Sequence, residues 1–333
     1  PDILIYTPGV KPRLVYYQPV DYWHKPAGPP SGWWTAPFDI EVITSPDAAS
    51  RYIPTNGRVA FVGEWDDTFA KWAKLESNPP ELVNRLHFDR AWKTEYEQEC
   101  LRIANELGAR GHVAAEKAFR AGESEYEIHL AYLRAANHTE EELPYGNIIA
   151  VTENAAVLHY YHHERDRLDK KHRFSFLIDA GAQFNGYASD ITRTYSQRKD
   201  EFQEMIDALD EAQQELCDAV NPKVNYPEIH FLAHRKVAEI LQRFKFVDLD
   251  ADAIVEKRIS STFFPHGVGH LLGLQVHDVG GFQANAEGKT IPKPEGHPYL
   301  RLTRVVEPSQ AFTIEPGLYF INPLLNVLLG HPL

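Results

Sequence analysis

The chain has 333 residues, 43% of them apolar, enough for one large core or two smaller ones, and the length favours two domains. Its 47 acidic residues outweigh 34 basic ones for a net charge of −13, with no basic cluster, which argues against nucleic acid and anionic membrane as partners. Cys100 and Cys217 lie far apart in helix-like segments with no CxxC pair, so two reduced, buried thiols and a cytoplasmic location are expected, and no apolar run is long enough to span a bilayer.

Residues 1–85 read as a small α/β domain with heavy aromatic loading. Arg13–Pro19, Asp39–Thr44 and Arg58–Glu64 look like strands, and Asp66–Leu75 looks like a short helix opened by aspartates. Between the first two strands lies DYWHKPAGPPSGWWTAPF, a structured loop whose three tryptophans are either local core or a lid used by substrate or a partner subunit. Ser77-Asn78-Pro79-Pro80 breaks the pattern and sets a domain boundary near residues 78–90.

The larger domain is expected over residues 91–333. Apolar residues recur at helical spacing from Ala91 to Phe119, and Ser124 with Glu127 forms a capping box that starts a second helix. After Pro144-Tyr145-Gly146-Asn147 come two strand-like runs, IIAVT and AAVLHYY. Phe202–Val220 and Pro227–Phe244 are again amphipathic helices, and strand-like segments follow them. Two helices followed by strands, occurring twice, predict two similar α+β halves facing each other across one site.

Phe174–Thr194 is the stretch around which the chemistry gathers. Asn185-Gly186 supplies the φ > 0 pair of a type I′ turn, so the run folds as a β-hairpin in which Gly181 faces Asp190 and Asp179 projects from the same face. The two carboxylates become diagonal neighbours, roughly 7–8 Å apart at Cα, and call for a positive charge between them. A solvent-facing hairpin with two hydrated aspartates is the simpler alternative.

Further on, PHGVGHLLGLQVHDVGG places His266, His270 and His277 in a glycine-rich run. The glycines disfavour a helix, so this is not the helical HExxH zinc site; on a strand His266 and His270 share a face, and His277 needs a bend to join them. In TIEPGLYF, Glu315 ends an apolar strand, where an ionised carboxylate is costly unless paired or metal-bound. Two aspartates, a histidine and a glutamate suit Mn²⁺, Co²⁺ or Zn²⁺, and bridging carboxylates favour two ions roughly 3.5–4 Å apart with a hydroxide between them.

Together LIDAGAQFNGYASDITRT, PHGVGHLLGLQVHDVGG and TIEPGLYF resemble the pita-bread metallopeptidases of the aminopeptidase P and prolidase group, most closely bacterial Xaa-Pro dipeptidases, some of which also hydrolyse organophosphorus esters and fluorides. VDYWH, PYGNIIAV, AAVLHYY and HPYLRLTR extend the likeness over nearly the whole chain. The resemblance implies an α+β pita-bread catalytic domain behind a smaller α/β domain, two divalent ions with Mn²⁺ foremost, an Xaa-Pro dipeptide substrate and a homodimer. It also implies that Asp179, Asp190 (bridging), His270 and Glu315 bind metal, with Glu315 shuttling protons. His277, His159 and His266 would flank the reacting bond, while Arg301 would grip the dipeptide carboxylate, with Tyr145 and Trp23 as further substrate contacts.

One departure stands out. The family pattern ends in a further metal-bridging glutamate, whereas no acidic residue follows Glu315 here, and the chain starts at Pro1 without methionine; both ends are expected to be missing. An aminopeptidase P-like enzyme and a catalytically silent pita-bread binding protein are the competing readings, and creatinase-like relatives, which lose the ligands, are disfavoured.

Overall fold

Three strands open the chain: β1 (Ile3–Ile5), β2 (Arg13–Tyr17) and β3 (Asp39–Ile43), in the order β1-β2-β3, with β1 antiparallel and β3 parallel to β2. The computed structural model describes residues 2–23, 25, 28–64, 71, 72 and 74–329, and the chain divides into two compact units, Pro1–Val83 and Asn84–Leu333. The first unit is closed by Val15, Ile43 and Ala49, with Tyr17, Tyr52 and Trp72 packed around them. Trp23, Trp33 and Trp34 are 76%, 71% and 37% exposed, which overturns the local-core reading of this loop. The strand expected over Arg58–Glu64 shortens to β4 (Ala60–Phe61), paired in parallel with β5 (Glu76–Ser77). The helix expected over Asp66–Leu75 falls largely outside the described residues.

The division between the two units falls within the expected range 78–90, inside a helix, Pro80–Asp89, with proline in its first position. Thr94 and Glu97 form a capping box for Glu95–Ala121, which ends at Gly122 in the left-handed region, and Ser124 and Glu127 cap Glu125–Ala136. These two helices pack closely because Gly111 carries no Cβ, which would lie 2.5 Å from the Tyr132 ring. They cover one face of an antiparallel sheet ordered β8 (Ile191–Ser196), β7 (Ser175–Ala180), β6 (Ile148–Val151). Phe119 stacks on Phe176 at 5.1 Å within a core that includes Ile128, Tyr132, Ile149 and Ile178. Cys100 is buried as expected, but Cys217 lies on an outward face of its helix and is exposed; both are free thiols.

AAVLHYY does not form a strand. After β6 the chain turns through Thr152, at φ 59°, into a 3₁₀ turn, Thr152–Ala156, because the buried Glu125 carboxylate collects the local donors. It accepts from the Val151 amide, Asn154, the Tyr160 hydroxyl and the Glu164 amide, leaving the backbone wrapped round one anion rather than paired along a ladder.

The second helix pair is present as Glu201–Ala219 and Tyr226–Arg243, the latter lying against a core of Ile229, Val237, Leu241, Phe263 and Phe264. The strands expected to follow do not form a regular ladder among the described residues. Residues 268–272 and 311–315 run antiparallel, joined by Leu272 N–H to Ala311, Thr313 N–H to His270 and Glu315 N–H to Val268. The complementary bond is diverted: the Thr313 carbonyl accepts from the Tyr226 hydroxyl at 2.7 Å, and the His270 amide donates to Thr313 Oγ1 at 3.0 Å. No helix is long and apolar enough to cross a membrane among the described residues.

Candidate metal centre

Strand parity decides where Asp179 points. Along β7, Phe176, Ile178 and Ala180 are fully buried against the helices, so Leu177 and Asp179 emerge on the opposite face. The tight turn holds: Phe184 pairs with Tyr187 and Gln183 with Ala188, while Asn185 and Gly186 have φ of 50° and 84°. On the far side of the turn Ala180 pairs with Ile191 and Asp179 with Thr192, so the register is continuous and Asp190 falls on the Asp179 face. The Tyr145 hydroxyl lies 2.7 Å from Asp179 Oδ1 and 3.0 Å from Asp190 Oδ1. Gly181 permits this approach, since a Cβ there would meet the Ser189 carbonyl at 2.2 Å and the Tyr145 ring at 2.7 Å.

The paired segments 268–272 and 311–315 bring the other donors. His270 Nε2 lies 3.1 Å from Asp190 Oδ2 and 3.2 Å from Glu315 Oε1, and its Nδ1 donates to the Leu271 carbonyl at 3.0 Å. Fixing the proton on Nδ1 leaves Nε2 as the nitrogen for a metal. Thr313 Oγ1 donates to Glu315 Oε1 at 2.7 Å. Gly269, at φ 156°, lets the strand sit against Thr313 and Tyr226, which a side chain would strike.

Charge in the site is unbalanced. Burial, then the neighbouring Asp190, pushes the Asp179 carboxyl up to about 7. Burial works against protonated His270, yet Asp190 and Glu315 hold its imidazolium up to about 10. Glu315 resists the upward push of burial because His270 draws it below the usual carboxylate range. One positive charge, the His270 imidazolium, and the hydroxyls of Tyr145 and Thr313 are thus left to serve three carboxyl groups, and that is the condition a divalent cation relieves. Asp190, His270 and Glu315 offer donor atoms within 4.8 Å of one another, with Asp179 adjoining through Tyr145, so the residues fit a metal group.

All four line an open cleft of about 2050 Å³. His277 joins through a bend at 273–278, its ring centroid 4.3 Å from that of His270; burial, then His270 and Arg301, keep it neutral down to about 4. His266 reaches the cleft with Nε2 3.2 Å from the Tyr319 hydroxyl, and exposed His159 reaches it stacked beside Tyr161. Arg301 is exposed on the wall and makes no ion pair among the described residues, while Tyr145 sits against the two aspartates. Trp23 belongs to the other unit, where it packs on Tyr22 at 4.5 Å. Sequence reasoning missed Thr313 and Tyr319, and it missed Asp278, a buried carboxylate held by Arg90 and Lys93 that secures the bend carrying His277. An acid inside the run QVHDVGG was the available signal.

Metallopeptidase family M24 matches residues 99–329, and the Xaa-Pro dipeptidase N-terminal domain matches residues 2–88. The Xaa-Pro dipeptidase of Shewanella oneidensis is 50% identical over 96% of this chain and 72% of its own length; that of Aeromonas hydrophila is 47% identical over 98% and 75%. Among solved structures, Zn-substituted E. coli aminopeptidase P in complex with product superposes with a TM-score of 0.71 at 25% identity, covering 93% of this chain and 72% of that one. The chain belongs to metallopeptidase family M24. Within it, this is a metal-dependent hydrolase related to the bacterial Xaa-Pro dipeptidases, with a mixed α+β pita-bread catalytic domain and a smaller N-terminal domain.

Proposed function

We propose that the chain hydrolyses Xaa-Pro dipeptides at a dinuclear centre held by Asp179, Asp190, His270 and Glu315, with Asp190 shared between the ions and Mn²⁺ as the metal. The observation that carries this reading is the convergence of three carboxylates and a single Nε2 in one cleft with too little positive charge to balance them. Two divalent ions, when bound, supply a water activated at neutral pH and an electrophile for the scissile carbonyl. Glu315 takes the proton of the attacking water and passes it to the departing prolyl nitrogen. His277, neutral at working pH, donates a hydrogen bond to the oxygen that gains charge, with His159 and His266 completing the wall.

Arg301 pairs with the dipeptide carboxylate in the bidentate manner open to a guanidinium. A cleft of about 2050 Å³ is well above the roughly 300–1,000 Å³ of a typical ligand site, so its walls alone do not reject longer peptides. The Trp23 loop, brought in by a second subunit of a homodimer, supplies the missing wall, and exposed indoles support that use. Free cysteines accord with a cytoplasmic setting. Asp190→Asn tests the centre: the full-length variant loses at least one metal equivalent by elemental analysis and loses Xaa-Pro hydrolysis. Two retained equivalents with normal turnover would refute the assignment.

A further inference from the structure

The Tyr226–Arg243 helix carries His230 and His234 one turn apart, so both rings leave the same face, and the loop ahead of Pro298 brings His297 to them. Ring centroids lie 4.6 Å apart for His230 and His234, 4.7 Å for His230 and His297, and 4.8 Å for His234 and His297. His230 and His234 are 1% and 2% exposed, and His297 is half-buried.

The protons of the group can be counted. The Val268 amide donates to His230 Nδ1 at 3.3 Å, which puts the His230 proton on Nε2, from where it is donated to His297 Nδ1 at 2.8 Å. His234 Nδ1 is hydrogen-bonded to Ser260 Oγ at 3.0 Å, and its Nε2 is buried without a partner. His230 and His297 share one proton, and with Nδ1 held by an outer hydrogen bond, Nε2 is the His234 nitrogen left to face a metal beside them.

We propose that His230, His234 and His297 form a second metal site, separate from the Asp190–His270–Glu315 centre, that takes one Zn²⁺ ion. An imidazole-only donor set suits Zn²⁺, whereas the oxygen-rich centre suits harder ions such as Mn²⁺. Burial, followed by the neighbouring rings, holds His230 and His234 neutral, the state in which imidazole binds metal. On binding, the His230 proton moves from Nε2 to Nδ1 and the long Val268 contact is given up. The ion then occupies the place of the shared proton and satisfies His234 Nε2. It ties the helix to the segment that runs on from His297 through buried Leu300 to Arg301.

The test uses full-length protein cleared with a chelator and titrated with Zn²⁺. In a D190N/H270A background, which disables the other centre, one equivalent remains bound, and X-ray absorption shows imidazole nitrogens as its protein ligands. Adding H297Q, a change on a half-buried loop, weakens that equivalent by roughly 100-fold or more. No zinc in the double variant, or unchanged binding on adding H297Q, would overturn the proposal. Should the double variant not fold, H297Q alone must cost the zinc-saturated wild-type protein one equivalent, and equal stoichiometry would overturn it as well.

Discussion

Glu125→Gln isolates the buried anion that shapes the His159 loop. Glu125 is 3% exposed and takes four hydrogen bonds: at Oε1 from the Val151 amide (2.8 Å) and Asn154 Nδ2 (2.9 Å), and at Oε2 from the Tyr160 hydroxyl (2.8 Å) and the Glu164 amide (2.9 Å). Each oxygen faces one backbone N–H, so whichever way the glutamine amide turns, its NH₂ meets a backbone donor. Tyr160 can rotate its hydroxyl to accept, but an amide cannot. One buried, unpaired N–H costs about 1–3 kcal/mol, and loss of the charge weakens the remaining bonds and the favourable placement at a helix N-terminus by about another 1 kcal/mol. The expected loss is about 2–4 kcal/mol, read as a lower urea midpoint at unchanged slope. Because the same loop carries His159 to the cleft, kcat/KM should fall too. A stability change below about 0.5 kcal/mol, that of an ordinary surface substitution, would refute the hub reasoning.

His277→Ala should leave metal content intact by elemental analysis while lowering kcat roughly 10²–10³-fold, the effect of removing one transition-state hydrogen-bond donor; parallel loss of metal would make His277 a ligand. Arg301→Ala should raise KM for an Xaa-Pro dipeptide by about 2–4 kcal/mol equivalent but hardly alter it for the matching prolinamide, which lacks the carboxylate. Equal weakening of both substrates would leave Arg301 without that role. Buried His112, its Nε2 donating to the Ala180 carbonyl at 3.1 Å, is pushed by burial from 6.5 down to about 4. The unfolded chain therefore binds this proton first as pH falls, so the stability from neutral His112 is complete above about pH 6.5 and drains toward pH 4, by about 3 kcal/mol. His112→Gln should flatten that acid limb in urea titrations at pH 7 and 4.5, and an unchanged difference between the two pH values would contradict it.

The parts of the centre that were legible in the sequence rest on local rules. Asn185-Gly186 dictates a two-residue turn, the turn sets the register, and the register puts Asp179 and Asp190 on one face. Ser124 and Glu127 likewise mark a helix start without outside help. What escaped depends on contacts distant in sequence. AAVLHYY has strand composition, but Glu125, some 30 residues earlier, takes the Tyr160 hydroxyl within it and the Val151 and Glu164 amides on either side. The second ladder is broken by Tyr226, whose hydroxyl takes the Thr313 carbonyl from 87 positions away. Cys217 has the apolar character of a core residue, yet its helix turns it outward, and the loop tryptophans are exposed although their composition would suit a core.

The hairpin also sets a limit on how this chemistry can travel between proteins. Since side chains alternate along a strand, deleting or adding one residue in either arm between Asp179 and the turn, or between the turn and Asp190, sends one carboxylate to the helix-packed side, where an ionised group has no partner. Residues 179–190 therefore behave as an indivisible cassette. Extra length is tolerable only at the Asn185-Gly186 tip, where a longer loop can bulge without disturbing the pairing beneath it. A graft onto another antiparallel sheet would have to carry the cassette whole, with a glycine at 181 to admit a tyrosine above both carboxylates.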